Sequence, residues 1–151
     1  MDKYIIGGWI ILTVLITSAG YSEGGEEVKT DTFGAIYEEA LLKEGVREIS
    51  YEQFVKLRDS GDDHVLLDVL LPDSYKNGHI EGAKSFPIPT INKENAQKRL
   101  SKNSRIVVYC ANFHCQASTS AAKALSGLGY KVLDYKGGLK EWEEKGNSLV
   151  K

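Results

Sequence analysis

Apolar and polar positions along the chain change period several times, and each change predicts a new element. The first apolar run, Tyr4 to Ile16, has no polar rhythm and runs into the small residues Thr17-Ser18-Ala19-Gly20. Tyr21 to Asp31 is Gly- and Glu-rich and reads as an exposed linker. From Thr32 to Glu44, Phe33, Ile36, Tyr37, Ala40 and Leu41 recur at helical spacing, and Gly45 is placed to end that helix. The role expected of this helix is packing against the main domain. Val46 to Ile49 is a short strand. Ser50 and Gln53 then occupy the two positions of a capping box. The helix they open turns Phe54, Val55 and Leu57 inward and stops near Gly61, and Asp62-Asp63 makes a turn. His64 to Val69 is a continuous apolar run, the pattern of a parallel strand buried on both faces. Pro72 to Gly78 is a short helix with proline near its start and glycine at its end.

The second half repeats the alternation. His79-Ile80-Glu81-Gly82-Ala83 reads as a turn and Lys84 to Phe86 as a short strand, ended by Pro87-Ile88-Pro89. Asn92 to Leu100 is a surface helix and Ser101 to Ser104 a turn. Ile106 to Tyr109 is a strand that delivers Cys110 into an irregular loop. Ser118 to Leu128 is the next helix, with Ala121, Leu125 and Leu128 on one face and Gly129 as its stop. Lys131 to Asp134 is the last strand, Gly137-Gly138 a tight turn, and Leu139 to Glu144 a helix carrying Trp142. Strands alternating with helices at this spacing predict a mostly parallel sheet covered on both faces. Ligand sites in such folds lie at the C-terminal ends of strands, which is where Cys110 stands.

Composition narrows the class. The chain has 151 residues, 42% of them hydrophobic and 26% charged, with a formal net charge of −2. This fits one globular domain and gives no basis for a nucleic-acid partner, since no cluster of Lys or Arg occurs. The N-terminal order of cation, apolar run and small residues matches an export signal. As a helix, Tyr4 to Ala19 would span roughly 24 Å at about 1.5 Å per residue, short of the ~30 Å hydrocarbon core. A retained anchor is the alternative, and only then would the chain meet a membrane. Either way the domain is expected outside the cytoplasm.

The two cysteines, Cys110 and Cys115, both lie in one loop, so they are local and chemical rather than a disulfide framework. A strand that presents a thiol to a loop closed by a helix N-terminus favours negative charge there, as a thiolate or a bound anion. The loop residues Ala111, Asn112, Phe113, His114, Cys115, Gln116, Ala117 and Ser118 form the candidate anion site, and His114 is the one potential cation among them. Asp68, at the end of a strand, is expected to cap a loop, with direct catalysis as the alternative. His79 is expected to hold its turn, with a base or ligand role as the alternative. Cys110, Cys115, His114 and His79 have the ligand count for zinc but not its close spacing, so no metal is expected.

Several segments taken together resemble a known family. His64-Val-Leu-Leu-Asp-Val, Gly78-His-Ile-Glu-Gly-Ala83, Ile106-Val-Val-Tyr-Cys110, Ala121-Ala122, Leu128-Gly-Tyr130 and Gly137-Gly-Leu-x-x-Trp142 occur in that order. From about Val46 to Asn147 the chain is similar to a single rhodanese (sulfurtransferase) domain. The resemblance implies an α/β fold with a mostly parallel five-stranded sheet and helices on both faces. With the segments read above, the chain divides into a signal or anchor over 1–20, a linker with its helix over 21–45 and the domain over 46–151. The resemblance also implies that Cys110 accepts sulfane sulfur as a persulfide, stabilised by loop N–H groups, and passes it to a thiol or other nucleophile. That chemistry needs a small sulfur donor and no cofactor; a protein partner is a further option.

The chain departs from the family pattern in three places. Leu70 stands where an Arg often follows the Asp-Val pair. The usual Cys-x-x-Gly-x-Arg-Ser loop is two residues longer here, with Ser118 matching its Ser, Ala117 in the Arg place, and no Gly. The extra length contains Cys115. With no Arg or Lys in the loop, a dianionic donor such as thiosulfate gains little, and a polysulfide or a persulfidated thiol is the expected donor. A cysteine phosphatase would need Arg six residues after the nucleophile, and Gln116 stands there. Two readings compete with sulfur transfer: a weakly catalytic binding or regulatory module, and a thiol–disulfide protein using Cys110 and Cys115. Within the loop, Cys115 is either a reactive partner or a buried, inert thiol.

Overall fold

In the computed structural model the described residues are 31–39, 42–43 and 46–151. The predicted export segment and linker (1–30), and Ala40, Leu41, Glu44 and Gly45, lie outside them. Six α-helices are described: α1 (Thr32–Glu39), α2 (Tyr51–Ser60), α3 (Pro72–Asn77), α4 (Lys93–Arg99), α5 (Ala117–Gly127) and α6 (Gly138–Glu144), with one 3-10 turn over Ile88–Thr90. The strands are β1 (Leu42–Lys43), β2 (Val46–Ile49), β3 (Val65–Asp68), β4 (Lys84–Ser85), β5 (Arg105–Tyr109) and β6 (Lys131–Tyr135). They form one sheet in the order β1-β2-β6-β5-β3-β4. Strands β2 to β6 are all parallel, the expected five-stranded sheet, while β1 adds an antiparallel edge against β2.

That edge is a correction. Leu42 and Lys43 fall inside the helix predicted over Thr32 to Glu44, but here they pair with Arg47 and Val46. The predicted helix ends five residues early because backbone pairing with an open sheet edge satisfies groups that one more helical turn would leave at a frayed end. The part of α1 that forms docks firmly. Asp31 Oδ1 accepts the Gly34 N–H at 2.7 Å as the cap, Asp62 Oδ2 accepts the Phe33 N–H at 3.1 Å, and Phe33 and Ile36 are buried.

The period of two along the central strands sorts the core. Val107, Tyr109, Leu133 and Tyr135 face α1, α2 and α6, with the Phe54 ring stacked on Tyr135 at 4.6 Å. Ile106, Val108 and Val132 face α4 and α5, where Ala121, Ala122 and Leu125 close on the sheet. Cys110 continues that second alternation, so its side chain points to the α5 face. Two finer expectations fail. Leu128 is 38% exposed because α5 ends at Gly127, before the helix can turn Leu128 inward. Val55 is half-buried, on the flank of α2 beside the buried Phe54 and Leu57.

Local signals act as their chemistry requires. Ser50 Oγ accepts the Gln53 N–H and Gln53 Oε1 accepts the Ser50 N–H, both halves of the capping box. Gly61 closes α2 at φ 72°.

Candidate active site

Cys110 follows β5, a strand with parallel neighbours on both sides, and the loop that begins with it ends at the N-terminus of α5. Gln116 precedes that helix without a side-chain cap, so the first N–H groups of α5 remain directed at the loop. Asn112 shapes the loop. Its side-chain Oδ1 accepts the His114 N–H at 3.0 Å and its carbonyl accepts the Cys115 N–H at 3.0 Å. The Gln116 amide donates to the His114 carbonyl at 3.5 Å. Phe113 is 66% exposed at the tip, and His114 is exposed beside it. Both flank a cleft of 260 Å³ that continues along Gly137, Lys140 and Glu141.

The Cys110 thiol is buried completely. It donates to the Ser118 hydroxyl at 3.3 Å and lies 3.4 Å from the Cys115 carbonyl and 3.9 Å from that of Asn112. Burial pushes this thiol above the usual range, and a hydrogen bond to the Cys115 sulfur adds to the rise, against the opposing Ser118 hydroxyl and N–H. Cys115 is half-exposed and behaves the other way. Burial raises it, but the Cys110 S–H, the Ala117 and Ala111 N–H groups and the Lys136 charge together hold it below the ordinary value. The donors of the loop therefore converge on the Cys115 sulfur. Both cysteines are free thiols.

The charge near the cysteines comes from Lys136 and not from the loop, which corrects the expectation placed on His114. Lys136 is 7% exposed; its Nζ donates to the Cys115 carbonyl at 3.0 Å and to Thr119 Oγ1 at 2.9 Å. Thr119 in turn donates to Asp134 Oδ2 at 2.8 Å. Asp134 is buried, and burial raises its carboxyl against the Ser118 and Thr119 hydroxyls and the Lys136 charge. The strand signal for this brace was present: Asp134 and Lys136 are two apart, on the face that carries Cys110 across β5. Lys136 itself lies just past β6, which ends at Tyr135, so a strand pattern over Lys131 to Asp134 does not single it out.

The loop is also fixed from below. The Cys110 and Ala111 carbonyls accept the Leu139 and Lys140 N–H groups at 3.0 and 2.9 Å. This close approach explains Gly138, whose φ is 60°: a Cβ there would lie 2.2 Å from the Cys110 carbonyl oxygen. The turn reading of Gly137-Gly138 found the glycines but not their neighbour.

Asp68 and His79 stand outside the loop. Asp68 Oδ1 accepts the Leu70 N–H at 2.9 Å, so the place where an Arg often stands is held by its backbone. The His79 ring stacks on Tyr75 at 3.8 Å with Nδ1 3.0 Å from the Tyr75 carbonyl, and its backbone bridges to Val150. None of these contacts reaches either cysteine.

The thiol order is testable. With iodoacetamide, Cys115 is expected to alkylate first, with a midpoint below that of an ordinary free thiol, because the thiolate is the reacting form. Cys110 is expected to react only at higher pH. Lys136→Met removes the charge and is expected to move the Cys115 midpoint upward. A profile in which Cys110 reacts first, or which Lys136→Met leaves unchanged, contradicts this picture.

Comparison with known proteins agrees with the fold. Residues 50–145 match the family model described as the rhodanese-like domain. The chain is 35% identical over 75 residues to the thiosulfate sulfurtransferase PspE of Escherichia coli, covering 50% of this chain and 70% of that protein. It is 31% identical over 98 residues to the thiosulfate sulfurtransferase GlpE of Pseudoalteromonas translucida, covering 64% of this chain and 89% of the relative. Among solved structures, a Bacillus halodurans protein superposes with a TM-score of 0.62 at 29% identity, covering 68% of this chain and 75% of that one. A rhodanese-related protein of Thermoplasma volcanium gives 0.58 at 27%, covering 69% and 97%. A family match across most of the described sheet, on a chain whose cysteine loop closes the central strand, leads to one conclusion: this chain belongs to the rhodanese-like domain family.

Proposed function

We propose that the chain is a sulfurtransferase that carries sulfane sulfur as a persulfide on Cys110. The observation that carries this reading is the position of the Cys110 thiol. It lies at the end of β5 and faces the uncapped start of α5, within hydrogen-bond contact of Ser118 and Cys115. Such a site favours an added anionic sulfur over neutral groups. The Cys110 thiol, pushed up by burial, must lose its proton to react. The Cys110 thiolate then attacks the terminal sulfur of the donor. The donor's S–S bond breaks, its remainder leaves with the electron pair, and the new sulfur extends from Cys110. A thiol or other nucleophile removes that sulfur and restores the thiolate.

The relatives' names specify thiosulfate. In this chain Lys136 spends two of its N–H groups on Cys115 and Thr119, and no guanidinium faces the loop opening among the described residues. A polysulfide or a persulfidated thiol, with less charge to desolvate than a dianion, is the favoured donor. Cyanide-released sulfur measured with each donor tests this. The expected kcat/KM is about tenfold or more higher for polysulfide, a difference of ~1.4 kcal/mol in transition-state binding. Equal or better use of thiosulfate would contradict the donor assignment, and no release from either donor would contradict sulfur transfer itself.

The proposal includes location outside the cytoplasm. The run Tyr4 to Ile16 followed by Thr17-Ser18-Ala19-Gly20 supports an export signal or anchor. Mass measurement of the mature N-terminus from expressing cells tests this: a chain beginning near Tyr21 marks cleavage. A full-length chain in the cytoplasmic fraction contradicts export.

A further inference from the structure

Cys115 occupies the place a persulfide would need. The Cys115 carbonyl lies 3.4 Å from Cys110 Sγ, and the Ala111 and Ala117 N–H groups favour the charged form of the Cys115 sulfur. Cys110 is sealed from solvent, whereas Cys115 is half-exposed. A sulfur added to Cys110 must extend toward those same N–H groups and displace Cys115 from them. The displaced thiol stays beside the new S–S bond, because the Cys115 carbonyl is tied to Lys136 Nζ at 3.0 Å and lies 3.4 Å from Cys110 Sγ.

From this juxtaposition we propose that Cys115 resolves the Cys110 persulfide, releasing its outer sulfur as hydrosulfide and leaving a Cys110–Cys115 disulfide. This rests on the persulfide reading above and names the fate of the sulfur when no acceptor is bound. The Cys115 thiolate attacks Cys110 Sγ. The Cys110–Cys115 bond forms, the bond to the outer sulfur breaks, and that sulfur leaves with the electron pair as hydrosulfide. The two cysteine sulfurs are oxidised together by two electrons, and the sulfane sulfur takes both. An external dithiol then reduces the disulfide by two exchange steps and becomes a disulfide itself. The cradle that would hold the persulfide also holds the thiol that ends it, so loading without acceptor turns the protein into its own oxidised, inactive form.

The test begins with protein reduced by a dithiol and desalted, then loaded with polysulfide and desalted again. Intact mass and free hydrosulfide are followed with no thiol added. Wild type is expected to lose the added sulfur as one equivalent of hydrosulfide and to end two hydrogens below its reduced mass, and a dithiol restores it. Cys115→Ser and Cys115→Ala are expected to hold the added sulfur about tenfold longer or more and never to reach the oxidised mass. A wild-type persulfide that lasts as long as those of the variants overturns the inference alone. So does a sulfur that migrates to Cys115 with no change in total mass. Failure of wild type and both variants to gain sulfur overturns the persulfide reading as well. Should the variants misfold, the wild-type disulfide and its hydrosulfide decide the matter by themselves.

Discussion

Gly138→Ala is expected to unseat the cysteine loop and to cost both stability and sulfur transfer. Gly138 holds φ 60°, and a Cβ would sit 2.2 Å from the Cys110 carbonyl oxygen and 2.9 Å from its carbon. Those atoms are backbone, so no rotamer change relieves the contact. Left-handed backbone alone costs a non-glycine residue about 1–2 kcal/mol. Shifting the loop also weakens the Leu139 and Lys140 hydrogen bonds to Cys110 and Ala111. The sum is about 3 kcal/mol, in the range of an overpacked core. Urea unfolding measures it, with cyanide-released sulfur assayed under native conditions. A nearby control is Gly146, which also has positive φ but open space where its Cβ would go. Gly146→Ala is expected to lose a little stability while leaving sulfur release intact. An unchanged midpoint and full activity in Gly138→Ala would contradict the close approach seen here.

The second large effect concerns the thiol itself. Cys110→Ser leaves a hydroxyl of similar size within reach of Ser118, so the fold is expected to survive with a near-normal melting temperature. Sulfur release, in contrast, is expected to fall about a thousandfold or more, as when an enzyme loses its nucleophile. The hydroxyl cannot be ionised at neutral pH and forms no persulfide. Retention of even a tenth of the activity would move the chemistry to Cys115, the thiol with the lower pKa and the greater exposure.

The fold was largely legible because its signals are local or periodic. Ile106 to Tyr109 reads as a strand from its β-branched run alone, and the structure alternates those residues and Cys110 between the two sheet faces. The capping box at Ser50 and Gln53 depends on four consecutive residues and formed as read. The errors fall where long-range contacts decide. Leu42 and Lys43 lie within the predicted helix but are taken by a sheet edge formed by β2. Leu128 has the right spacing for the core but lies just past the last turn of α5.

The site divides the same way. The loop, its thiols and the helix N-terminus are contiguous in sequence, so their association was readable. Lys136 reaches Cys115 from 21 positions away, through the parallel pairing of β6 with β5. Nothing near the loop announces it. The Gly138 contact with Cys110 spans a similar gap and was visible only as a pair of turn glycines. His114 was the obvious cation in sequence, yet its exposed position at the loop tip leaves the Cys115 carbonyl to Lys136.

The chemistry turns on where the sulfur first attaches. Reduced protein, loaded briefly with polysulfide, trapped with an alkylating agent and digested, yields peptides that separate Cys110 from Cys115. The added sulfur is expected on the Cys110 peptide in the earliest samples, with Cys115 carrying only the alkyl group. An early sulfur on Cys115 with Cys110 unmodified, or none on either, would contradict a persulfide on Cys110.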